Sequence, residues 1–198
     1  MIENGKEVDH PPIIVGKPNK QTPQLQTRVV GVILNPTWTV PQSIIAESVG
    51  SLVRRNPANA RSHGYHWTNV RGHLSVVQGP GPGNSLGQMK LDMPNPLTVY
   101  IHDTPSKSLF DKDVRTFSHG CMRMQNPFDL AERLLAGTGW NRARIDATVA
   151  SRVTTHVALP APLPVYVVYM TAVPQADGTI AYFTDPYDLD AALAARLN

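Results

Sequence analysis

"VYIHDTPSKSLFDKDVRTFSHGCMRM", residues 99–124, holds the only cysteine in a chain of 198 residues. Its start belongs to "NPLTVYIHD", residues 95–103, an apolar and β-branched run that reads as a strand. Alternate side chains of a strand share a face, so Tyr100 and His102 fall together near its end. A polar loop follows, and fifteen residues separate His102 from Ser118, enough chain to return beside the strand. There it meets Ser118-His119-Gly120-Cys121-Met122-Arg123. A thiol attacks acyl carbon well only as the thiolate, which needs a neighbouring base or cation. His102 and His119 are the candidate bases. Gly120 permits close approach of a carbonyl and frees backbone N–H groups beside the sulfur to face an oxyanion. Arg123 offers a carboxylate paired hydrogen bonds. By residue type alone, Cys121 is either a nucleophile or a small buried residue that happens to be cysteine.

Working outward, residues 1–27 are polar and proline-rich and read as an extended arm with at most one short strand, "IIVG". "RVVGVILN" from Arg28 is a buried strand, and "VPQSIIAESVGSLVRRNP" a helix with Ile45, Val49, Leu52 and Val53 on one face, closed by Pro57. Residues 54–72 are polar with neither period, which suits a loop or a small flap. "HLSVVQ" is a strand and "GPGPGNSLGQM" a glycine-rich turn. Asn126-Pro127 reads as a cap with proline at the first helical position, and "PFDLAERLLA" as a helix ending at Gly137. A helix over about 141–150 follows. "PVYVVYMTAV" and "TIAYFT" are strands joined through "PQADG", before a short C-terminal helix. Strands dominate over three or four helices. The class is α+β and β-rich, built round a mixed or antiparallel sheet.

Composition narrows function. A net charge of +3, 41% hydrophobic and 17% charged residues describe an ordinary globular domain. The basic residues are scattered without interleaved aromatics, which argues against nucleic acid as a partner. No apolar run reaches the length of a membrane span, and "MIENGKEVDHPP" lacks the pattern of an export signal. A single cysteine excludes an internal disulfide. The 18 prolines gather in "HPPIIVGKPNKQTPQ", "GPGPGN", "DMPNP" and "LPAPLP", stiff joints between strands.

With these segments in place, the chain resembles the L,D-transpeptidases of bacterial cell walls, whose motif is His, 14–17 residues, then Ser/Thr-His-Gly-Cys-x-Arg/Asn. "LNPTWTVPQSI", "GPGPGNSLGQMKLDMPN", "VYIHDTPSKSLF", "FSHGCMRM" and "PVYVVYMTAVPQADGTIAYFTDPYDLD" extend the likeness to the larger, periplasmic branch, over about residues 28–190. The resemblance implies a mixed β-sheet sandwich or barrel, with residues 1–27 as the arm, 28–198 as the catalytic domain and 54–72 as a short flap. It implies Cys121 as nucleophile and His102 as its base, oriented by the backbone carbonyl of Asp103. His119 would support the site, and Gly120 and Cys121 N–H groups would hold the oxyanion. Tyr100 and Ser118 would line the substrate pocket and Arg123 bind a stem-peptide carboxylate. The implied partners are peptidoglycan donor and acceptor stem peptides, joined in 3–3 or 1–3 links, with hydrolysis when water is the acceptor. Carbapenem acylation of Cys121 and a periplasmic location are implied too, and no metal or organic cofactor. Two departures are a flap shorter than in the larger relatives and no recognisable peptidoglycan-binding module.

Other features read more plainly. "GPGPGNSLG" lacks the last glycine of a dinucleotide fingerprint and any Gly-Lys-Ser/Thr, so it is a structural turn. His63 and His66 make at most half a metal site. Tyr65 and Trp67 either pack on substrate or anchor the flap, and Trp38 anchors a strand-to-helix corner. Two alternatives stand beside the transpeptidase: a non-catalytic wall-binding domain, and a thiol peptidase or sortase-like enzyme. The second lacks support, because sortases need a Thr-Leu-x-Thr-Cys-type strand and papain-like enzymes place cysteine before histidine.

Overall fold

The computed structural model describes residues 1–3, 5–175 and 177–197. A minute hairpin, β1 (Ile2–Glu3) with β2 (Lys6–Glu7), precedes β3 (Ile13–Gly16). The expected extended arm is therefore partly woven into the body. β3 lies between β10 (Thr116–Ser118) and β11 (Met122–Met124) in a seven-stranded sheet, and Ile14 is fully buried. A β-branched run between prolines folds into a sheet wherever an edge is open to it, which polarity averaged over residues 1–27 conceals.

The sheet runs β10-β3-β11-β9-β8-β4-β12 and is mixed. β4 (Leu25–Leu34) is its spine, antiparallel to β8 (Met89–Asp92) and to β12 (Thr155–Val167). β12 is an edge strand whose register shifts between Ala158 and Leu163, around Pro160 and Pro162, the place where a strand tolerates missing N–H groups. β9 (Ile101–His102) pairs antiparallel with β8 and parallel with β11. Val29, Val32, Leu34, Met89, Leu91, Met122 and Met124 meet Leu130 and Leu135 near α4 (Pro127–Leu134) and Ile145 of α5 (Arg142–Ser151) in the main core. Asn126 occupies the cap position of α4 with proline following, as expected, but its side chain accepts no capping bond. Asn141 does cap α5, accepting from Arg144 N–H at 3.0 Å.

Residues 38–78 form a second unit with its own apolar cluster. Its sheet is β5 (Trp38–Thr39), β7 (His73–Gln78) and β6 (Tyr65–Val70). Against it packs one helical run: α1 (Gln42–Ile44), a π-helical turn Ile45–Val49, and α2 (Gly50–Arg55). Ile45, Val49 and Val53 are buried against Val40, Ala60, Tyr65 and Val76, with Trp38 and Trp67 partly buried at its margin. The segment 54–72, expected as a loop or flap, is instead the end of that helix, α3 (Pro57–Ser62) and β6. Asn56 accepts from Asn59 N–H at 3.1 Å to start α3, and β6 is polar because most of its residues are exposed. Tyr65 and Trp67 therefore hold this lobe together.

The C-terminal part crosses back to the start of the chain. β13 (Ala172–Pro174) and β14 (Ile180–Tyr182) form a hairpin, and Ala176 of its "PQADG" turn lies outside the described residues. The Tyr187 hydroxyl donates to Gly16 O at 2.9 Å and accepts from Thr22 N–H at 3.2 Å. The Tyr169 and Tyr187 rings stack with centroids 5.1 Å apart. α6 (Asp190–Leu197) ends the described chain.

Candidate active site

Register, more than sequence proximity, assembles the site. On β8, β9 and β11, Lys90 pairs with His102 and His102 with Arg123. Paired residues on neighbouring strands project to the same face, so two cations flank His102 in one row. The row continues to buried Ile33 on one side and Ile14 on the other. Tyr100 stands two residues before His102, and Lys90 Nζ rests 4.2 Å from its ring centroid. Met122 N–H donates to Tyr100 O at 2.9 Å, which brings Cys121 alongside Tyr100.

His102 is 4% exposed, and its Nδ1 is 2.5 Å from Asp103 O. Nδ1 therefore carries the hydrogen of that bond and Nε2 keeps the lone pair. Burial, followed by the nearby Arg123 charge, pushes the imidazole down to about 4 against the bonds to the Asp103 and Leu86 carbonyls. It is neutral near pH 7. Burial also pushes the Cys121 thiol up, opposed by a bond from Tyr100 and by the charges of Arg123 and Lys90. The resting pair is thus a neutral thiol beside a neutral base. A thiolate standing ready at acid pH is not expected.

Asp103 is held on every side. Its Oδ2 accepts from Gln88 N–H at 2.9 Å, and Lys107 Nζ donates to Oδ1 and to Gln125 O, the latter at 3.2 Å. A Cβ on Gly87 would stand 2.4 Å from the Asp103 carboxyl, and Gly87 has φ +65°, so only glycine fits there. The loop that carries Gly87 is the glycine-rich "GPGPGNSLG" turn. Asn84 donates to Pro36 O, Gln78 O and Gly79 O at 3.1, 3.2 and 2.8 Å and accepts from Leu86 N–H at 2.8 Å. This turn braces Asp103 and, through its carbonyl, the His102 ring. The signal for that role lies in its asparagine and the glutamine before it, which a reading by glycine content alone overlooks.

The loop before Cys121 is shaped from within. Ser118 Oγ donates to Cys121 O at 2.5 Å and accepts from Gly120 N–H at 3.1 Å. Two expectations change here. Ser118 is 2% exposed with its hydroxyl turned into the loop, away from a substrate-lining role. The Gly120 N–H, expected to face an oxyanion, is already bonded; among the described residues Cys121 N–H makes no hydrogen bond. Gly120, at φ +115°, supplies the turn. His119 points away to the second unit, where its Nε2 lies 3.1 Å from both Glu47 carboxylate oxygens. Lys20 Nζ is 3.7 Å from Glu47 Oε2. Arg123 Nε is buried without a hydrogen-bond partner, a donor available to a ligand.

Two surrounding features lie apart from this cluster. A cleft of about 390 Å³ borders the far side of Asp103, with Lys107 and Gln125 in its wall, and Cys121 does not line it. His63 is occupied locally, its Nδ1 2.8 Å from Asn59 O, while His66 lies on β6. Among the described residues no helix is long and apolar enough to cross a membrane.

Residues 1–157 match the family described as the L,D-transpeptidase catalytic domain. The chain belongs to that family. It is also 29% identical over 195 residues to a putative L,D-transpeptidase of Haemophilus influenzae, an alignment covering 90% of this chain and 40% of that protein. The chain spans well under half the length of this relative. The family match begins at residue 1, so it takes in β3 as well as the His102-to-Arg123 segment that carries the motif.

Proposed function

We propose that the chain is a peptidoglycan L,D-transpeptidase with Cys121 as nucleophile and His102 as general base. The observation that carries this is the neutral, buried His102, fixed through Nδ1 on Asp103 O in the strand beside Cys121. A base of that kind accepts a proton in the transition state and returns it without first being neutralised.

In the first step Cys121 Sγ attacks the carbonyl at the L-centre of diaminopimelate in a donor tetrapeptide stem, and its proton passes to His102. The oxyanion faces the unbonded Cys121 N–H. Collapse breaks the amide bond, and His102 returns the proton to the departing D-alanine amine, leaving a thioester. In the second step an amine of an acceptor stem attacks the thioester and yields its proton to His102, and Cys121 leaves as the thiol. The product is a 3–3 link, or 1–3 when the acceptor is the L-alanine amine; water as acceptor gives L,D-carboxypeptidase activity. Arg123, with its unpaired buried Nε, holds a stem carboxylate, and Tyr100 forms one wall. The same chemistry makes Cys121 the site of carbapenem acylation, and stem peptides as substrate place the protein in the periplasm.

Purified tetrapeptide-stem monomers incubated with the protein and with Cys121→Ala test this by mass spectrometry of the products. Cysteine-dependent dimers that have lost one D-alanine are the expected result, and fragmentation assigns the link. Monomers left untouched by folded wild-type protein would remove the murein reading.

A further inference from the structure

Lys90 lies outside the family motif, yet the sheet register sets it directly across from His102, opposite Arg123. It is half-buried on β8 between Met89 and Leu91, which are 1% and 2% exposed. A lysine on a strand normally extends to water. Here the ammonium lies over the Tyr100 ring at 4.2 Å, a cation–π arrangement that fixes the charge over the wall of the site.

We propose that Lys90, propped on Tyr100 at one end of the Lys90–His102–Arg123 row, is a positioning residue whose charge stabilises the Cys121 thiolate as it forms and favours anionic groups approaching the sulfur. This rests on Cys121 being the nucleophile but not on the identity of its substrate.

The electrostatics fit. Around Cys121 stand Lys90 of β8, Tyr100 just before β9, His102 of β9 and Arg123 of β11; Asp92 acts on Lys90 and Tyr100, and His119 on the Cys121 loop turns away to Glu47, which Lys20 also pairs. Lys90 and Arg123 both favour the ionised thiol against burial. Burial lowers the affinity of Lys90 for its own proton, while Asp92 and Cys121 oppose that shift. A half-buried cation gains when an anion appears beside it, and the attacking sulfur is such an anion.

A purely structural Lys90 would support Tyr100 by its stem alone, so the test separates charge from packing. Cys121 is alkylated with neutral iodoacetamide and with anionic iodoacetate across the range of thiol ionisation, in wild type, Lys90→Met and Lys90→Arg. Lys90→Met should move the iodoacetamide midpoint upward by about one on the pH scale. It should also lower the iodoacetate-to-iodoacetamide rate ratio by about three- to tenfold. Lys90→Arg should restore both, and added salt should shrink the differences. Unchanged midpoint and ratio in folded Lys90→Met would overturn the proposal. So would changes that Lys90→Arg does not restore, which would mark a packing role. If Lys90→Met does not fold, Lys90→Gln carries the same comparison. A wild-type thiol inert at every pH would overturn both this proposal and the nucleophile assignment. Expected alkylation without any muropeptide product would sink the murein substrate alone and leave this proposal standing.

Discussion

The seven-stranded sheet and the lobe of residues 38–78 are each an apolar cluster under strands, but they hold their polar groups in opposite ways. On the sheet, His102, Asp103 and Ser118 are 2–4% exposed and bonded to backbone atoms, with the Lys107 ammonium on Asp103 as the one side-chain partner. On the lobe, the group that reaches the site is Glu47, exposed on a helix, in hydrogen-bond contact with the His119 ring and ion-paired with Lys20. Fixed geometry comes from buried polar groups that have no alternative partner, whereas exposed ion pairs are screened and readily exchanged for water. The groups proposed to react therefore sit on the rigid part, and the lobe borders them through a contact that can part.

The comparison can be broken at the sheet first. His102→Gln should lower the transpeptidase rate by on the order of 10²–10⁴-fold with the fold retained, measured as muropeptide dimer formation. An unaffected rate would mean that the buried row is scaffold only. Gly87→Ala comes next: its methyl would meet the Asp103 carboxyl at 2.4 Å on a φ of +65°. It should cost about 2–4 kcal/mol in chemical denaturation and lower activity with it, because the displaced Asp103 carries the carbonyl that orients His102.

Acid should act through the same buried histidine. In the unfolded chain it binds a proton near pH 6.5, and in the fold only near about 4. The unfolded state thus holds more protons between these values, so stability is full above about pH 6.5 and falls as pH drops towards 4. The loss approaches about 3 kcal/mol, since each tenfold weakening of proton binding in the fold is worth ~1.4 kcal/mol. Unfolding curves across that window should show it, and His102→Gln should flatten it. A wild-type curve already flat there would contradict the burial of a neutral base.

The neck between the two regions sharpens the contrast. The chain leaves the body near Pro36 and returns at Gln78, and the Asn84 amide donates to carbonyls at both crossings. Asn84→Ala leaves buried carbonyls without donors and should cost about 2–3 kcal/mol. Hydrogen exchange should rise in the lobe before it rises in β4 and β12. Glu47→Gln should have the smallest effect: little change in melting temperature, with faster exchange in residues 42–55 that salt mimics in the wild type. A large loss of stability would mean that the lobe is held as firmly as the sheet.

Much of this is legible locally. "RVVGVILN" and "HLSVVQ" declare themselves as strands because alternating or continuous apolar residues leave few other ways to bury them. "NPLTVYIHD" does not behave so simply. Asn95 folds back, its Nδ2 donating to Met93 O and Val99 O at 2.7 and 2.8 Å, and Thr98 has φ +52°, so only Ile101 and His102 remain strand. Asparagine before proline makes such a turn, competing with the β propensity of the residues after it. "MKLD" is silent in the sequence because four residues carry too little periodicity to distinguish a strand from a turn. Segment 54–72 looks formless because its apolar residues are few, although Ala60, Tyr65 and Trp67 suffice when a neighbouring helix supplies the rest of the cluster.

The sequence alone determined the nucleophile candidate, the histidine a loop's length before it, the glycine that turns the chain into Cys121, and a β-rich body round them. Each of these depends on residue type and short spacing, which the linear order contains. The tertiary structure decided which charges surround the sulfur. It turned Ser118 and the Gly120 N–H inward, sent His119 out to Glu47, and set Lys90 and Arg123 on either side of His102. The row of Lys90, His102 and Arg123 depends on the pairing register of strands far apart in the chain. A slip of one residue would turn every one of these side chains to the opposite face.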